Sequence, residues 1–129
     1  MPDLSKSELH KVVAAWQSSW TSLDPDIITD LYAEDAEHMS NVVTQRMGLG
    51  SGTLKSRAAI RLYVEESVKR LTSFRADIIS VIMEDHGTEG CAAVEYWRTL
   101  NGNDDKRSRV FELLEWRNDK LTSCRVYHF

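Results

Sequence analysis

The stretch "KRSRVFELLEWRNDKLTSCRVYHF", Lys106 to Phe129, decides the fold. Within it, Val110, Leu114 and Trp116 fall on one parity, against Arg107, Arg109, Glu115 and Arg117 on the other. A period of two is the mark of a half-buried strand. Phe111 and Leu113 make the second face partly apolar as well. The break at Asn118 and Asp119 is turn chemistry, and so short a link joins antiparallel neighbours. The same period runs upstream through "FRADIISVIM" (Phe74 to Met83) and "CAAVEYWRTL" (Cys91 to Leu100). The links "EDHGTEG" and "NGNDD" are again turn text. The second half of the chain therefore reads as a meander of four strands.

Before Phe74 the period is that of helices. Ser5 to Ser22 reads as one, with Leu9, Val13, Trp16 and Trp20 on a single face. Asp24 caps a second, Pro25 fits its first turn, and Ile28, Leu31 and Tyr32 form its stripe before it fades over Ala33 to Ala36. "NVVTQRMGLGSGTLKS", Asn41 to Ser56, reads as irregular and glycine-rich. Ser56 then caps a third helix that buries Ile60, Tyr63, Val64, Ser67 and Leu71. Three N-terminal helices followed by strands is an α+β layout, with the helices packed on one face of a curved, mostly antiparallel sheet. Residues 1–129 read as one domain without repeats.

The bulk numbers exclude several functions. The chain is 42% hydrophobic and 28% charged with a net charge of −4, the balance of a globular protein with a real core. Acids and bases interleave, so no basic stripe offers itself to nucleic acid. No apolar run spans a membrane, and "MPDLSKSELH" lacks an apolar signal segment, which points to the cytoplasm. Cys91 and Cys124 read as buried thiols. His10, His38, His86 and His128 have no metal-ligand spacing, so neither a metal nor a cofactor is expected. "GLGSG" lacks the lysine of a phosphate loop. Its glycines make Asn41 to Lys55 a candidate mobile lid.

The text "W…LDPDIITDLYAEDA", then "SRAAIRLY", then "FELLEWRNDKLTSCRVYHF" resembles the nuclear-transport-factor-2-like superfamily, with its SnoaL-like cyclases and ketosteroid isomerases. The resemblance covers nearly the whole chain. It implies a cone-shaped α+β barrel whose concave sheet face lines a pocket. It also implies a strand parity in which even positions face that pocket: Ala92, Val94, Tyr96 and Arg98; Val110, Glu112, Leu114 and Trp116; Thr122, Cys124, Val126 and His128. The isomerase branch's base, five residues after the position of Asp35, falls here on Ser40, which cannot take a proton by itself. Its oxyanion pair, a tyrosine on the first helix and an acid on the third strand, falls on Trp16 and Glu112. Steroid isomerisation is therefore not expected.

The acids of "LYAEDAEHMSN", Leu31 to Asn41, have two readings: a catalytic cluster, or a solvated helix end. Glu34 and Asp35 are assigned to the second. Tyr32, on the buried stripe, borders the pocket in the resembling fold, and His38 shares parity with Ser40 if the chain is extended there. Arg98 and Glu112 could pair with one another as an internal strut. Alternatively, Arg98 offers a fork to a substrate carboxylate or enolate while Glu112, His38 or His128 moves a proton. Trp16, Trp20, Tyr32, Ser40, Tyr63, Tyr96, Arg98 and Trp116 are then the candidate ligand-binding residues for a small apolar or aromatic ligand. The expected activity is a cofactor-independent isomerisation, cyclisation or dehydration of a small cyclic or aromatic metabolite. The rival is a non-catalytic ligand-binding or dimerisation module of the same fold. Glu95, Trp97, Phe111, Leu113, Tyr127 and Phe129 make the outer sheet face a candidate homodimer surface.

Overall fold

The computed structural model describes residues 9–129. The helix expected from Ser5 is seen as α1, Lys11–Ser22; its foreseen start at Ser5 to Glu8 lies outside the described residues. His10 is its N-cap, with Nδ1 accepting from the Val12 amide (3.1 Å). An imidazole acceptor satisfies one of the amides that a helix start leaves bare. Its buried face is Val12, Val13, Trp16, Ser19 and Trp20. The next helix, α2 (Pro25–Asp30), starts as the sequence predicts. Asp24 accepts from the amides of Asp26 (2.9 Å) and Ile27 (3.4 Å), and Pro25 fills the first turn.

The largest departure from the sequence reading follows. The helix stops at Asp30, and Tyr32–Met39 is a strand, β1. Ser40 then caps a short helix, α3 (Asn41–Met47), and Thr53–Lys55 forms β2. The segment expected to be irregular is thus ordered at both ends, with Val43 and Leu54 buried. Next comes α4 (Arg57–Val68), capped by Ser56 Oγ accepting from the Ala59 amide (3.3 Å). Its buried side chains are Ile60, Tyr63, Val64 and Ser67. The final four elements are the foreseen strands: β3 (Phe74–Asp85), β4 (Glu89–Leu100), β5 (Ser108–Arg117) and β6 (Lys120–His128).

The six strands form one open sheet in the order β2-β1-β6-β5-β4-β3. All neighbours are antiparallel except β1 and β6, which run parallel with His38 opposite Cys124. The fold is therefore α+β as the sequence indicates, with four helices rather than three on an open, mixed sheet. Asn118 and Asp119 both have positive φ (50° and 64°), the backbone of a tight two-residue hairpin.

Parity holds along β5, where Val110, Glu112, Leu114 and Trp116 are all buried. On β4, Ala92, Val94 and Tyr96 are buried too. It fails once on β6. Glu115 faces Ser123 and Trp116 faces Leu121, so Thr122 is an extra residue and Leu121, fully buried, takes the inward place foreseen for it. A bulge of this kind shifts every residue before it to the other face. The core fills the space between the concave face and the helices, α1 against β3 and α4 against β1.

Candidate functional site

Three elements converge on Glu112. Its place on β5 aims it inward, between buried Val110 and Leu114. From α1, Trp16 Nε1–H donates to Glu112 Oε2 (3.0 Å). From β4, the Tyr96 hydroxyl donates to Glu112 Oε1 (2.9 Å). The Trp16 and Tyr96 rings meet edge to face, with centroids 5.1 Å apart, so each donor fixes the other. Glu112 is only 3% exposed. Removal from water disfavours the carboxylate and pushes its pKa up to about 7; the two hydrogen bonds and the Arg98 charge pull the other way and lose.

Among the described residues no ion pair joins Arg98 to Glu112. In the β4–β5 register Val94 faces Glu112 and Arg98 faces Ser108, so the two side chains are staggered along the strands. The strut foreseen as one alternative is not made, and Trp16 and Tyr96 take its place. Arg98 Nε and His128 Nε2 are both buried with no hydrogen-bond partner among the described residues.

The inward groups surround a cavity of about 60 Å³. Its walls include Trp16, Trp20, His38, Ser40, Tyr63, Tyr96, Arg98, Glu112 and His128, together with Val42, Phe74 and Val126. His38, 3% exposed, is on β1 and lies against Tyr63, with ring centroids 5.3 Å apart. Burial holds its imidazole neutral, with the pKa lowered to about 4. Burial also lowers the pKa of half-buried His128, with Arg98 adding to the effect. Tyr96 and Tyr63 are shifted upward, chiefly by burial, so both keep their hydroxyl protons. Ser40 lines the cavity, but its Oγ is occupied as the α3 cap, accepting from the Val42 amide (3.1 Å).

Two expected site residues lie elsewhere. Tyr32 is not in the cavity wall. It is fully buried at the start of β1, with its hydroxyl 3.4 Å from His38 Nδ1, and backs that histidine instead. Trp116 sits further along β5, under the His10 ring (centroids 4.8 Å apart) and against Gly90. It is core. Glu34 and Asp35 are exposed, and Glu34 meets Arg57 (3.5 Å), in keeping with solvated roles. Val42 and Phe74 were missed. Phe74 begins a strand that the sequence reading foresaw without assigning its inward face, whereas Val42 reaches the cavity from α3, a segment that reading left irregular. Among the described residues no group of three or more histidine, cysteine or acidic side chains gathers as a metal site, and no helix is long and apolar enough to cross a membrane.

No protein-family model matches the chain, and no curated protein matches it significantly. Solved structures do. A SnoaL-like protein of unknown function from Burkholderia thailandensis superposes with a TM-score of 0.73 at 18% identity, over 89% of this chain and 88% of its own. An NTF2-like protein of unknown function from Pseudomonas putida gives 0.74 at 12%, over 94% and 84%. The fold is that of the nuclear-transport-factor-2-like superfamily. A third solved structure, a hypothetical protein with a ketosteroid isomerase-like fold from Catenulispora acidiphila in complex with trimethylamine, gives 0.66 at 19%, over 91% and 84%. Identities this low carry the NTF2-like architecture and nothing of its chemistry.

Proposed function

We propose that this chain is a small-molecule enzyme of the NTF2-like fold that moves a proton by general acid–base catalysis, without a cofactor, using Glu112. The observation that carries the reading is a buried carboxyl, hydrogen-bonded by Trp16 and Tyr96, whose pKa of about 7 lies near neutrality. A group poised there is as ready to accept a proton as to give one. As base, the carboxylate takes a proton from a carbon next to a carbonyl. As acid, it returns that proton to a second carbon, so an isomerisation needs nothing else. The Tyr96 hydroxyl can serve both states. It donates to the carboxylate, and it can rotate to accept from the carboxylic acid and turn its own proton into the cavity. Neutral His38 supplies fixed polarity around a developing oxyanion.

The cavity sets the scale of the substrate. About 60 Å³ is less than the roughly 150 Å³ that admits a benzene ring. The Catenulispora protein of similar fold is in complex with trimethylamine, itself a small molecule, which supports a small substrate here. A ring enters here only if part of the wall gives way, and Val42 of α3 in that wall supports Asn41–Lys55 as the moving part. A container would also have a cavity, but it gains nothing from a buried carboxyl held half-ionised.

The test is proton exchange in D₂O, followed by ¹H NMR on a panel of small ketones and enones. Wild type should incorporate deuterium α to the carbonyl, and Glu112→Gln should be slower by roughly two to four orders of magnitude. Equal exchange by folded Glu112→Gln would overturn the reading and leave the ligand-binding module.

A further inference from the structure

We infer that the cavity is built for an anion: the ligand is a small organic acid whose carboxylate, or equivalent oxyanion, sits on Arg98 and His128, with its reactive carbon toward Glu112. The site is that of the proton-transfer reading and the inference rests on it for location, but the binding test does not depend on turnover.

Three observations converge. Buried Arg98 Nε and His128 Nε2 both belong to side chains in the cavity wall, and neither has a partner among the described residues. Buried donors are seldom left bare, because each unmade hydrogen bond costs free energy. Two unmet groups at the same end of one cavity indicate a missing acceptor. The second observation is the distribution of arginines. Arg57, Arg61, Arg75, Arg109 and Arg125 each pair with a carboxylate. Arg46, Arg70, Arg98, Arg107 and Arg117 do not, among the described residues, and of these Arg46 on α3 is near enough to Arg98 for the two to repel each other. Although the chain carries a net charge of −4, Arg98 thus brings a positive charge without a paired carboxylate to the cavity wall, with Arg46 nearby. Such a charge draws anions inward. The third is Glu112 itself. The one carboxyl in the wall is taken up by Trp16 and Tyr96 and is only half-ionised near pH 7, so it does not fully offset the charge of Arg98.

The geometry also limits the ligand's shape. Ser40, Val126 and His128 line the cavity and, in addition, an outer cleft of about 400 Å³ beside α3. A substrate too long for the inner space passes His128 and lays its tail in that cleft. The carboxylate then anchors a branched carbon, from which the reacting carbon points to Glu112 and a tail of variable length to the cleft.

Calorimetric titration with butyrate, butyramide and butylamine separates the alternatives, since the three share a shape and differ in charge. Wild type should bind butyrate at least about tenfold more tightly than butyramide, the discrimination a charge-assisted hydrogen bond supplies. Butylamine should be weakest. Arg98→Gln should abolish the preference, while Glu112→Gln should retain it. Equal affinities for butyrate and butyramide, a preference for butylamine, or an unaltered preference in Arg98→Gln would each overturn the inference. The wild-type panel alone decides it if Arg98→Gln does not fold. A retained butyrate preference with no Glu112-dependent exchange would sink the proton-transfer reading and leave the anion site standing; exchange without the preference would do the reverse.

Discussion

Glu112 and His38 face the same cavity and respond to burial in opposite senses, and this gives the protein a pH signature. Glu112 has its folded pKa raised to about 7, above the ordinary carboxylate value of about 4.3. Its contribution to stability is complete below about pH 4.3 and is lost as pH rises toward 7. His38 has its folded pKa lowered to about 4, below the ordinary value of about 6.5. Its contribution is complete above about pH 6.5 and is lost as pH falls toward 4. Between those limits the two slopes, each on the order of 1 kcal/mol per pH unit, oppose each other. Urea melts of Glu112→Gln should therefore show stability rising from pH 4.5 to 6.5, and those of His38→Gln should show it falling over the same range. Parallel profiles in the two variants would contradict the assignment of these shifts.

Among the elements, α3 carries the sharpest test because the sequence reading missed it. If the role of Ser40 is to cap α3, Ser40→Ala should cost about 1 kcal/mol in a denaturant melt and leave butyrate affinity unchanged. A large loss of affinity would make Ser40 a ligand contact instead. Gly90 is a second point of tight fit. A Cβ there would approach the Trp116 ring to 2.5 Å and the Glu84 carbonyl oxygen to 2.7 Å. Gly90→Ala should lower stability by about 1–3 kcal/mol; an unchanged melting temperature would show that the ring moves freely. The four C-terminal strands were legible because local alternation specifies them, whereas the inward face of β5 came from the family resemblance, with Val110, Leu114 and Trp116 in partial support and Phe111 and Leu113 blurring the contrast. β1 was not. Its three exposed acids, Glu34, Asp35 and Glu37, imitate a solvated helix end, and its pairing shifts register between Tyr32 and Glu37, which erases the two-residue period over half its length. Its main partner, β6, lies at the far end of the chain. The period survives from Ala36 to Ser40, which is why His38 and Ser40 could be read as facing alike. Ser40 before α3 and Gly48 after it, at φ 69°, were the helix signals available in the text. The staggering of Arg98 past Glu112 depends on strand register, which no single strand's sequence reveals.

At the scale of the whole molecule, the outer face of the sheet is the surface the cavity does not use. Tyr127 and Phe129 are 45% and 80% exposed there, and Arg107 lies 4.2 Å over the Trp97 ring. We propose that this face joins two copies. Light scattering at micromolar concentration should give twice the chain's 14.8 kDa, and a mass of one chain would contradict the pairing. The inner face depends on the assembled fold in a more exact way. α1 brings Trp16, β4 brings Tyr96 and β5 brings Glu112, so the carboxyl's proton affinity reports whether all three are placed as described. The most direct measurement is a ¹³C NMR titration of the glutamate side-chain carboxyls, with Glu112→Gln identifying the resonance. The account predicts that the Glu112 carboxyl titrates near pH 7, well apart from the exposed glutamates; titration near pH 4 would contradict it and remove the acid–base centre on which the proposed function stands.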